Sequence, residues 1–144
     1  MAATAPPPDR HLAEALRARG QRVTPQRLLL HRTLRELDRH VTAEHLLEAA
    51  GRRLPNLALP TVYATLELFE ELGIVHRVPG AGGARLFDPR LEEHHHRVCT
   101  RCGSVEDLDV ALDTGAALRA AGRGRFCAQR VEMTISGLCA ACAD

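Results

Sequence analysis

The sequence predicts an α+β fold in which a winged helix-turn-helix domain precedes a small α/β dimerisation domain with a four-cysteine zinc site. Three observations support this prediction: helix caps and apolar stripes in the first half, a hairpin-like segment after them, and two Cys-x-x-Cys pairs in the last third. The predicted divisions are a disordered tail at 1–8, the winged-helix domain at 9–87 and the metal-binding dimerisation domain at 88–144.

The first domain is predicted to contain a run of short amphipathic helices. Each apolar stripe follows a residue that favours a helix start, and a glycine follows the first and the last helix, as is common at helix ends. The starting residues are Asp9, Thr24 with Pro25, Thr42, and Pro60 with Thr61, and the glycines are Gly20 and Gly73.

Two strand-like runs, 74–78 and 84–87, flank a Gly-rich segment at 79–83 and predict a hairpin. Helices followed by a hairpin form a winged helix, in which the helix before the wing enters the major groove of DNA. We therefore expect residues 60–67 to face DNA.

The last third reads as a small sheet with one helix. Such a small sheet is marginal by itself, so that zinc and pairing with a second copy are plausible supports. The predicted elements are strands at 96–99 and 105–108, a helix at 110–121, and a half-buried strand in which Val131, Met133 and Ile135 point inward.

Four cysteines, Cys99, Cys102, Cys139 and Cys142, form two closely spaced pairs that suit one tetrahedral zinc ion. Two disulfides are the alternative, but the chain shows no secretory leader or long apolar run, which favours a reducing cytoplasm. A closed four-thiolate site stabilises a fold and leaves no position for catalysis. We expect Cys127, outside the pairs, to be a buried small apolar residue and not a redox group.

Charge is unevenly distributed, although the formal net charge is only +1. All 19 basic residues are arginine, and the segment 15–35 contains several of them without any acidic residue. This patch predicts phosphate contacts, with a solvated helix face as the alternative.

The histidine run at 94–96 precedes the first cysteine pair. On an extended strand His94 and His96 share one face, and Glu93 and His95 share the other. Two imidazoles with carboxylates from Asp88 and Asp107 would make a mixed nitrogen and oxygen metal site.

Several motifs together resemble the ferric uptake regulator family of bacterial metal-dependent repressors, over most of the chain from about Leu12 to Cys142. The motifs are Arg22-Val23-Thr24-Pro25-Gln26-Arg27, His40-Val41-Thr42-Ala43-Glu44, Thr61-Val62-Tyr63, His94-His95-His96, Cys99-x-x-Cys102-Gly103 and Cys139-x-x-Cys142.

The resemblance implies a cytoplasmic homodimer that binds a pseudo-palindromic operator in double-stranded DNA when a regulatory metal is bound. It also implies structural Zn(II) on the four thiols. The implied regulatory ligands are His40, Asp88, His94, His96 and Asp107.

With aspartate at positions 88 and 107, the set of implied ligands resembles that of the peroxide-sensing branch of the family. That branch implies that Fe(II) and peroxide oxidise a ligand histidine, His40 or His94, and so abolish DNA binding. Mn(II) would occupy the same ligands without this chemistry, and Zn(II) or Ni(II) remain open as effectors of an uptake or efflux regulator.

The resemblance assigns DNA contacts to Arg22 and Tyr63, with Thr61 and Thr65 as further candidates. Ala64 departs from the family, which often has arginine or asparagine there, so that one contact is missing or replaced. Without the resemblance, Tyr63 would be read as a core or boundary residue. A third metal site would use Glu93, His95 and Asp113, but the histidine expected near the end of the chain falls on Val131.

Two other classes of function fit the sequence less well. A zinc hydrolase or deaminase would need an open zinc position, and the chain lacks the H-x-E and P-C-x-x-C signature of nucleobase deaminases. A zinc-stapled interaction module would leave the arginine-rich helices without a role. We therefore predict a regulator that is not an enzyme, with no membrane and no small organic substrate among its partners.

Overall fold

The computed structural model describes residues 8–80, 84–92, 94–128 and 130–143, which form two compact units. The first unit runs to Pro79 and resumes at 84–91, and the second is built mainly from 92–143. Residues 1–7 of the predicted tail and 81–83 of the predicted hairpin tip lie outside the described residues. The elements are α1 (Pro8–Ala18), α2 (Pro25–Leu37), α3 (Ala43–Gly51), α4 (Leu59–Glu71), β1 (His76–Pro79), β2 (Arg85–Asp88), β3 (His95–Cys99), β4 (Val105–Leu108), α5 (Gly115–Ala121) and β5 (Thr134–Gly137).

Local sequence signals position the helices of the first unit. The hydroxyl of Thr24 accepts a hydrogen bond from the Arg27 N–H at 3.2 Å, and that of Thr42 accepts one from the His45 N–H at 3.2 Å. Both predicted caps are therefore confirmed. Gly20 and Gly73 follow their helices with φ of 66° and 69°, in the left-handed region where glycine is favoured.

Asp9 does not cap α1 as the sequence predicted. The helix begins at Pro8, and Asp9 lies within its first turn. The Asp9 carboxylate instead forms an ion pair with Arg32 of α2. A tertiary contact between two helices has replaced the local cap, and it also occupies one arginine of the basic segment.

The hydrophobic core of the described residues belongs to the first unit. Four helices bury their apolar stripes against one another, and strand β2 contributes Phe87. An isolated antiparallel bridge joins Val41, ahead of α3, to Phe87. The largest fully buried apolar side chains are Leu12, Leu16, Leu30, Leu34, Val41, Leu46, Val62, Leu66, Phe69, Val75 and Phe87.

The second unit is a three-stranded sheet in the order β4-β3-β5, with β3 antiparallel to β4 and parallel to β5. The predicted helix at 110–121 is shorter than expected. The Asp113 carboxylate accepts the Gly115 N–H at 3.0 Å, a local bond that competes with helical pairing, and the helix starts only at Gly115.

The last strand also differs from the prediction. Regular pairing begins at Thr134 and not at Val131, because the Met133 N–H donates to the His95 ring at 3.1 Å. Ile135, predicted to point inward, is 50% exposed. Cys127, predicted to be buried, is exposed, since this unit contributes no apolar side chain to the core cluster.

None of the helices described here is both long and apolar enough to cross a membrane.

His31 is a polar residue within the core of the first unit, 7% exposed and edge-on to the Phe69 ring at 5.9 Å between centroids. Burial, reinforced by the positive charges of Arg35 and His11 and opposed by Asp9, lowers the pKa of His31 to about 4. The neutral imidazole is therefore the form that the folded domain accommodates.

We expect the free energy of unfolding to fall as the pH drops from about 6.5 towards 4, because the unfolded chain binds a proton that the folded chain rejects. His31→Leu should flatten this dependence, whereas His11→Ala, at an exposed position, should not. Urea denaturation followed at Tyr63, the only tyrosine, measures it. Equal pH dependence in His31→Leu and the unchanged protein would contradict the assignment.

Candidate metal centres

The four cysteines of the two pairs come together in the second unit, with their sulfur atoms within 4.8 Å of one another. The parallel register sets Gly137 opposite Cys99, so that Cys139, two residues later, reaches the first pair. Gly103 permits the turn after Cys102 because its φ of 78° is left-handed.

The spacing of the sulfur atoms fits a tetrahedral zinc ion. Zn–S bonds of about 2.3 Å in a tetrahedron place two sulfurs about 3.8 Å apart. The Cys102 and Cys139 sulfurs lie 3.8 Å apart. A disulfide needs about 2.05 Å, and the cysteines are free. The donor set therefore suits a closed metal site and not the disulfide alternative.

Local hydrogen bonds favour thiolate at one end of the cluster. The Cys102 and Cys139 N–H groups lie 3.5 and 3.4 Å from the Cys99 sulfur and lower the pKa of Cys99 to about 6. The Ser104 hydroxyl lowers the pKa of Cys102. A hydrogen bond with the Cys139 thiol, followed by burial, raises the pKa of Cys142 to about 12. The neighbouring sulfur atoms thus oppose ionisation of Cys142, and a divalent ion would offset that effect.

A second cluster lies on one face of the same sheet. His94 and His96 are two residues apart and share a face as predicted, and β4 sets Asp107 directly opposite His96. The Nε2 atoms of His94 and His96 are 3.0 Å apart. The nearer Asp107 oxygen lies 3.5 Å from Nε2 of His94 and 3.9 Å from Nε2 of His96.

The tautomer of His94 is set by the backbone. Its Nδ1 lies 2.7 Å from the Glu92 carbonyl oxygen, which can only accept, so that Nδ1 carries the proton and Nε2 the lone pair. A lone pair facing another imidazole nitrogen and a carboxylate needs a proton or a cation between them. First-row metal ions bind such mixed nitrogen and oxygen donors.

The first unit contributes its own imidazole and carboxylate pair. The Val41–Phe87 bridge places the preceding residue, His40, beside the following one, Asp88. The His40 Nε2 and Asp88 Oδ2 atoms lie 3.1 Å apart. The second Asp88 oxygen accepts the Arg90 N–H at 2.9 Å, which orients the carboxylate.

The structure describes two of the three residues predicted for a third metal site, His95 and Asp113. Glu93 lies outside the described residues. Within the described part of the chain, neither His95 nor Asp113 belongs to a group of three or more potential ligands. Nδ1 of His95 instead accepts the Met133 N–H, and Asp113 accepts that of Gly115. A third metal site stays a prediction.

Three of the four predicted DNA contacts, Arg22, Thr61 and Thr65, line a groove of about 510 Å³ in the first unit together with Arg27, whereas Tyr63 does not. Arg27 braces the Arg22 segment by donating to the Arg22 carbonyl oxygen at 2.6 Å. Thr65 is only 6% exposed, and its hydroxyl donates to the Thr61 carbonyl oxygen, which favours a packing role.

Tyr63 is half-buried and borders the core, and its hydroxyl donates to the Glu44 carboxylate at 3.0 Å. A backbone hydrogen bond lowers the pKa of Glu44 most, and the bond from Tyr63 lowers it further. The same bond is the main reason that the pKa of Tyr63 is raised. Sequence reasoning missed Glu44 as a partner of Tyr63. It also missed Glu132, whose carboxylate lies 3.3 Å from Nδ1 of His96. Neither has a spacing that signals its partner.

Comparisons with known proteins agree with one another. The family model described as the ferric uptake regulator family matches residues 18–135. The peroxide-responsive repressor PerR of Staphylococcus saprophyticus is 31% identical over 130 residues, covering 90% of this chain and 88% of that protein.

Among solved structures, the ferric uptake regulator of Helicobacter pylori shares the fold, with a TM-score of 0.79 over 94% of this chain and 91% of that one at 16% identity. A zinc uptake regulator solved with zinc and DNA is 26% identical, with a TM-score of 0.64 over 92% of this chain and 91% of that one.

Proposed function

Since the chain belongs to the ferric uptake regulator family and is one of its metal-dependent transcriptional repressors, we propose that one regulatory metal ion switches its binding to operator DNA. The proposed ligands are His40 and Asp88 from the first unit, and His94, His96 and Asp107 from the second. The proposal extends to a homodimer in the cytoplasm, with Zn(II) on the four cysteine thiols.

The observation that carries this proposal is the arrangement of His94 and His96. Their Nε2 atoms face each other at 3.0 Å beside the Asp107 carboxylate, and the Glu92 carbonyl directs the lone pair of His94 into this space. A bound divalent cation supplies the positive charge that such converging donors require.

The proposed ligands belong to both units, and this would provide the switch. A bound metal would favour conformers in which the imidazole and carboxylate groups of both units reach the same ion. In a dimer this would fix the separation of two α4 helices, and DNA with matching half-site spacing would then bind more tightly.

The proposed DNA surface is the groove that Arg22 and the start of α4 line. Its charge comes from arginine side chains, which suit phosphate, and the similar zinc uptake regulator was solved with DNA. We propose Arg22 and Tyr63 as contacts, with Thr61 as a further candidate, whereas the burial of Thr65 makes it a packing residue of this surface.

The proposed homodimer is supported by exposed apolar side chains in the second unit. Phe126 is 65% exposed, and Ile135 and Leu138 are each 50% exposed, although this unit has few buried apolar residues in the described range. A second copy of the chain would cover such a surface.

The effector is proposed to be Fe(II) or Mn(II), with peroxide as the signal in the Fe(II) form, because of the similarity to a peroxide-responsive repressor. Bound Fe(II) would allow peroxide, the two-electron oxidant, to transfer one of its oxygen atoms to His40 or His94, and the other oxygen atom would leave as water. Zn(II) or Ni(II) remains the alternative effector, supported by the similarity to a zinc uptake regulator.

Replacing His96 by alanine should leave zinc on the thiols but abolish metal-dependent operator binding, because one converging donor is lost. Operator binding titrated with Mn(II) in the presence of constant zinc measures this. An unchanged titration would reject His96 as a regulatory ligand.

Replacing Cys102 by serine should release zinc and the dimer, because three thiols no longer close the tetrahedron. Elemental analysis and sedimentation measure both effects. Cys127→Ser is the matched control and should keep both, since Cys127 lies outside the cluster. A folded zinc-free dimer of Cys102→Ser would refute the structural role.

Replacing Arg22 by alanine should weaken operator binding and reduce the slope of log K against log salt by about 1, as expected for one lost phosphate contact. Arg53→Ala is the control, because Arg53 is ion-paired with Glu36 and does not line the groove. Equal salt slopes for the Arg22 variant and the unchanged protein would remove Arg22 from the interface.

Exposure of the Fe(II) form to peroxide should add about 16 mass units, one oxygen atom, to a peptide containing His40 or His94, whereas the Mn(II) form should remain unmodified. Mass spectrometry of protein prepared without oxygen measures this. An unmodified Fe(II) form with persistent operator binding would favour the metal-uptake alternative.

A further inference from the structure

His96 presents its two ring nitrogens to different partners. Nε2 faces His94 and Asp107, whereas Nδ1 lies 3.3 Å from Oε1 of Glu132. The two nitrogens of an imidazole point in different directions, so Glu132 is placed to contact the ring behind a metal ion and not to bind that ion itself.

The backbone fixes Glu132 in this place. The parallel register sets Thr134 opposite His96, and the His96 N–H donates to the Met133 carbonyl oxygen at 3.0 Å. Glu132 is the next residue back along the chain. Its position therefore follows from strand pairing, and not only from the conformation of a long side chain.

Arg130 orients the Glu132 carboxylate. The guanidinium lies 3.1 Å from Oε2 of Glu132, so one oxygen atom faces arginine and the other faces His96. Arginine thus holds one carboxylate oxygen by a hydrogen bond, whereas the other lies within ion-pair distance of Nδ1 of His96 without a regular hydrogen bond.

We infer that Glu132 is a positioning residue for the regulatory metal. With a metal ion on Nε2, the Glu132 carboxylate, 3.3 Å from the buried Nδ1 atom, would accept the Nδ1 proton of His96. This would keep the lone pair on Nε2 and increase the electron density offered to the ion. Carboxylate–histidine–metal arrangements of this kind orient the ring and raise its strength as a ligand. The inference rests on the proposed function, since it requires that His96 bind the regulatory metal.

His94 has an equivalent contact, since the Glu92 carbonyl oxygen lies 2.7 Å from its Nδ1 atom. One histidine of the pair is thus held by a backbone oxygen and the other by a charged side chain. Only the second of these contacts can be removed by substituting an amino acid, which makes Glu132 testable.

The test uses full-length zinc-loaded protein titrated with Mn(II), with free Mn(II) followed by electron paramagnetic resonance. Glu132→Ala should raise the Kd for Mn(II) by about 10- to 100-fold. Glu132→Gln should have a smaller effect, because its amide oxygen still accepts a hydrogen bond but has no charge. Glu106→Gln is the control, since Glu106 pairs with Arg97 on the same sheet, and it should leave the Kd unchanged.

Long-range ¹H–¹⁵N spectra of the ring nitrogens, recorded before Mn(II) is added, give a second readout. The His96 proton should reside on Nδ1 in the unchanged protein and be distributed over both nitrogens in Glu132→Ala. Zinc content and the near-ultraviolet signal of Tyr63 report on folding, and Glu132→Gln preserves side-chain volume if the alanine variant is unstable.

An unchanged Kd and an unchanged His96 tautomer in the folded Glu132 variants would overturn the inference. His96→Ala separates this outcome from failure of the proposed function. If His96→Ala also binds Mn(II) normally, the regulatory ligand set is wrong. If His96→Ala loses Mn(II) and the Glu132 variants do not, only the role of Glu132 is wrong.

Discussion

Strand β3 carries ligands of both candidate centres in the second unit, so its pairing with both neighbours is the constraint on which the metal chemistry depends. The β4 register sets Asp107 opposite His96, and the β5 register sets Gly137 opposite Cys99. A slip of one residue would turn the histidines to the other face or carry Cys139 away from Cys99. The candidate ligands of the second unit are therefore brought together by strand register.

The two units are stabilised in different ways. The first buries leucine, valine and phenylalanine from four helices and one strand, which is sufficient for a small hydrophobic core. The second contributes no member to that cluster among the described residues, and Phe126 remains 65% exposed. Its sheet must then be held by other interactions, and the four thiols are the obvious ones in a single chain. Metal and partner binding would raise the free energy of unfolding of this unit, by an amount that grows with the logarithm of ligand concentration divided by Kd.

Local signals predicted most of the fold because they act over a few residues. Thr24 and Thr42 cap their helices as expected, and the cysteine spacing identified a cluster that the structure forms. The errors arose where a distant partner decided the outcome: Asp9 pairs with Arg32 across two helices. The alternation that ends at Ile135 predicted an inward face, but periodicity cannot tell whether the covering surface belongs to the same chain. The sequence also did not predict the contact of Glu132 with His96, because this contact depends on sheet register.

The cysteine cluster and the surroundings of His96 both depend on the pairing of strand β5 with β3. Cys139 follows β5 by two residues, and Glu132 precedes it by two. Holding Cys139 on an ion would therefore also hold the register in which Thr134 lies opposite His96. A chain without zinc would lose this restraint on the surroundings of His96, although the thiols are not its ligands. The proposed structural zinc would thus be a precondition for the proposed regulatory metal, because it would hold the strand pairing that surrounds His96.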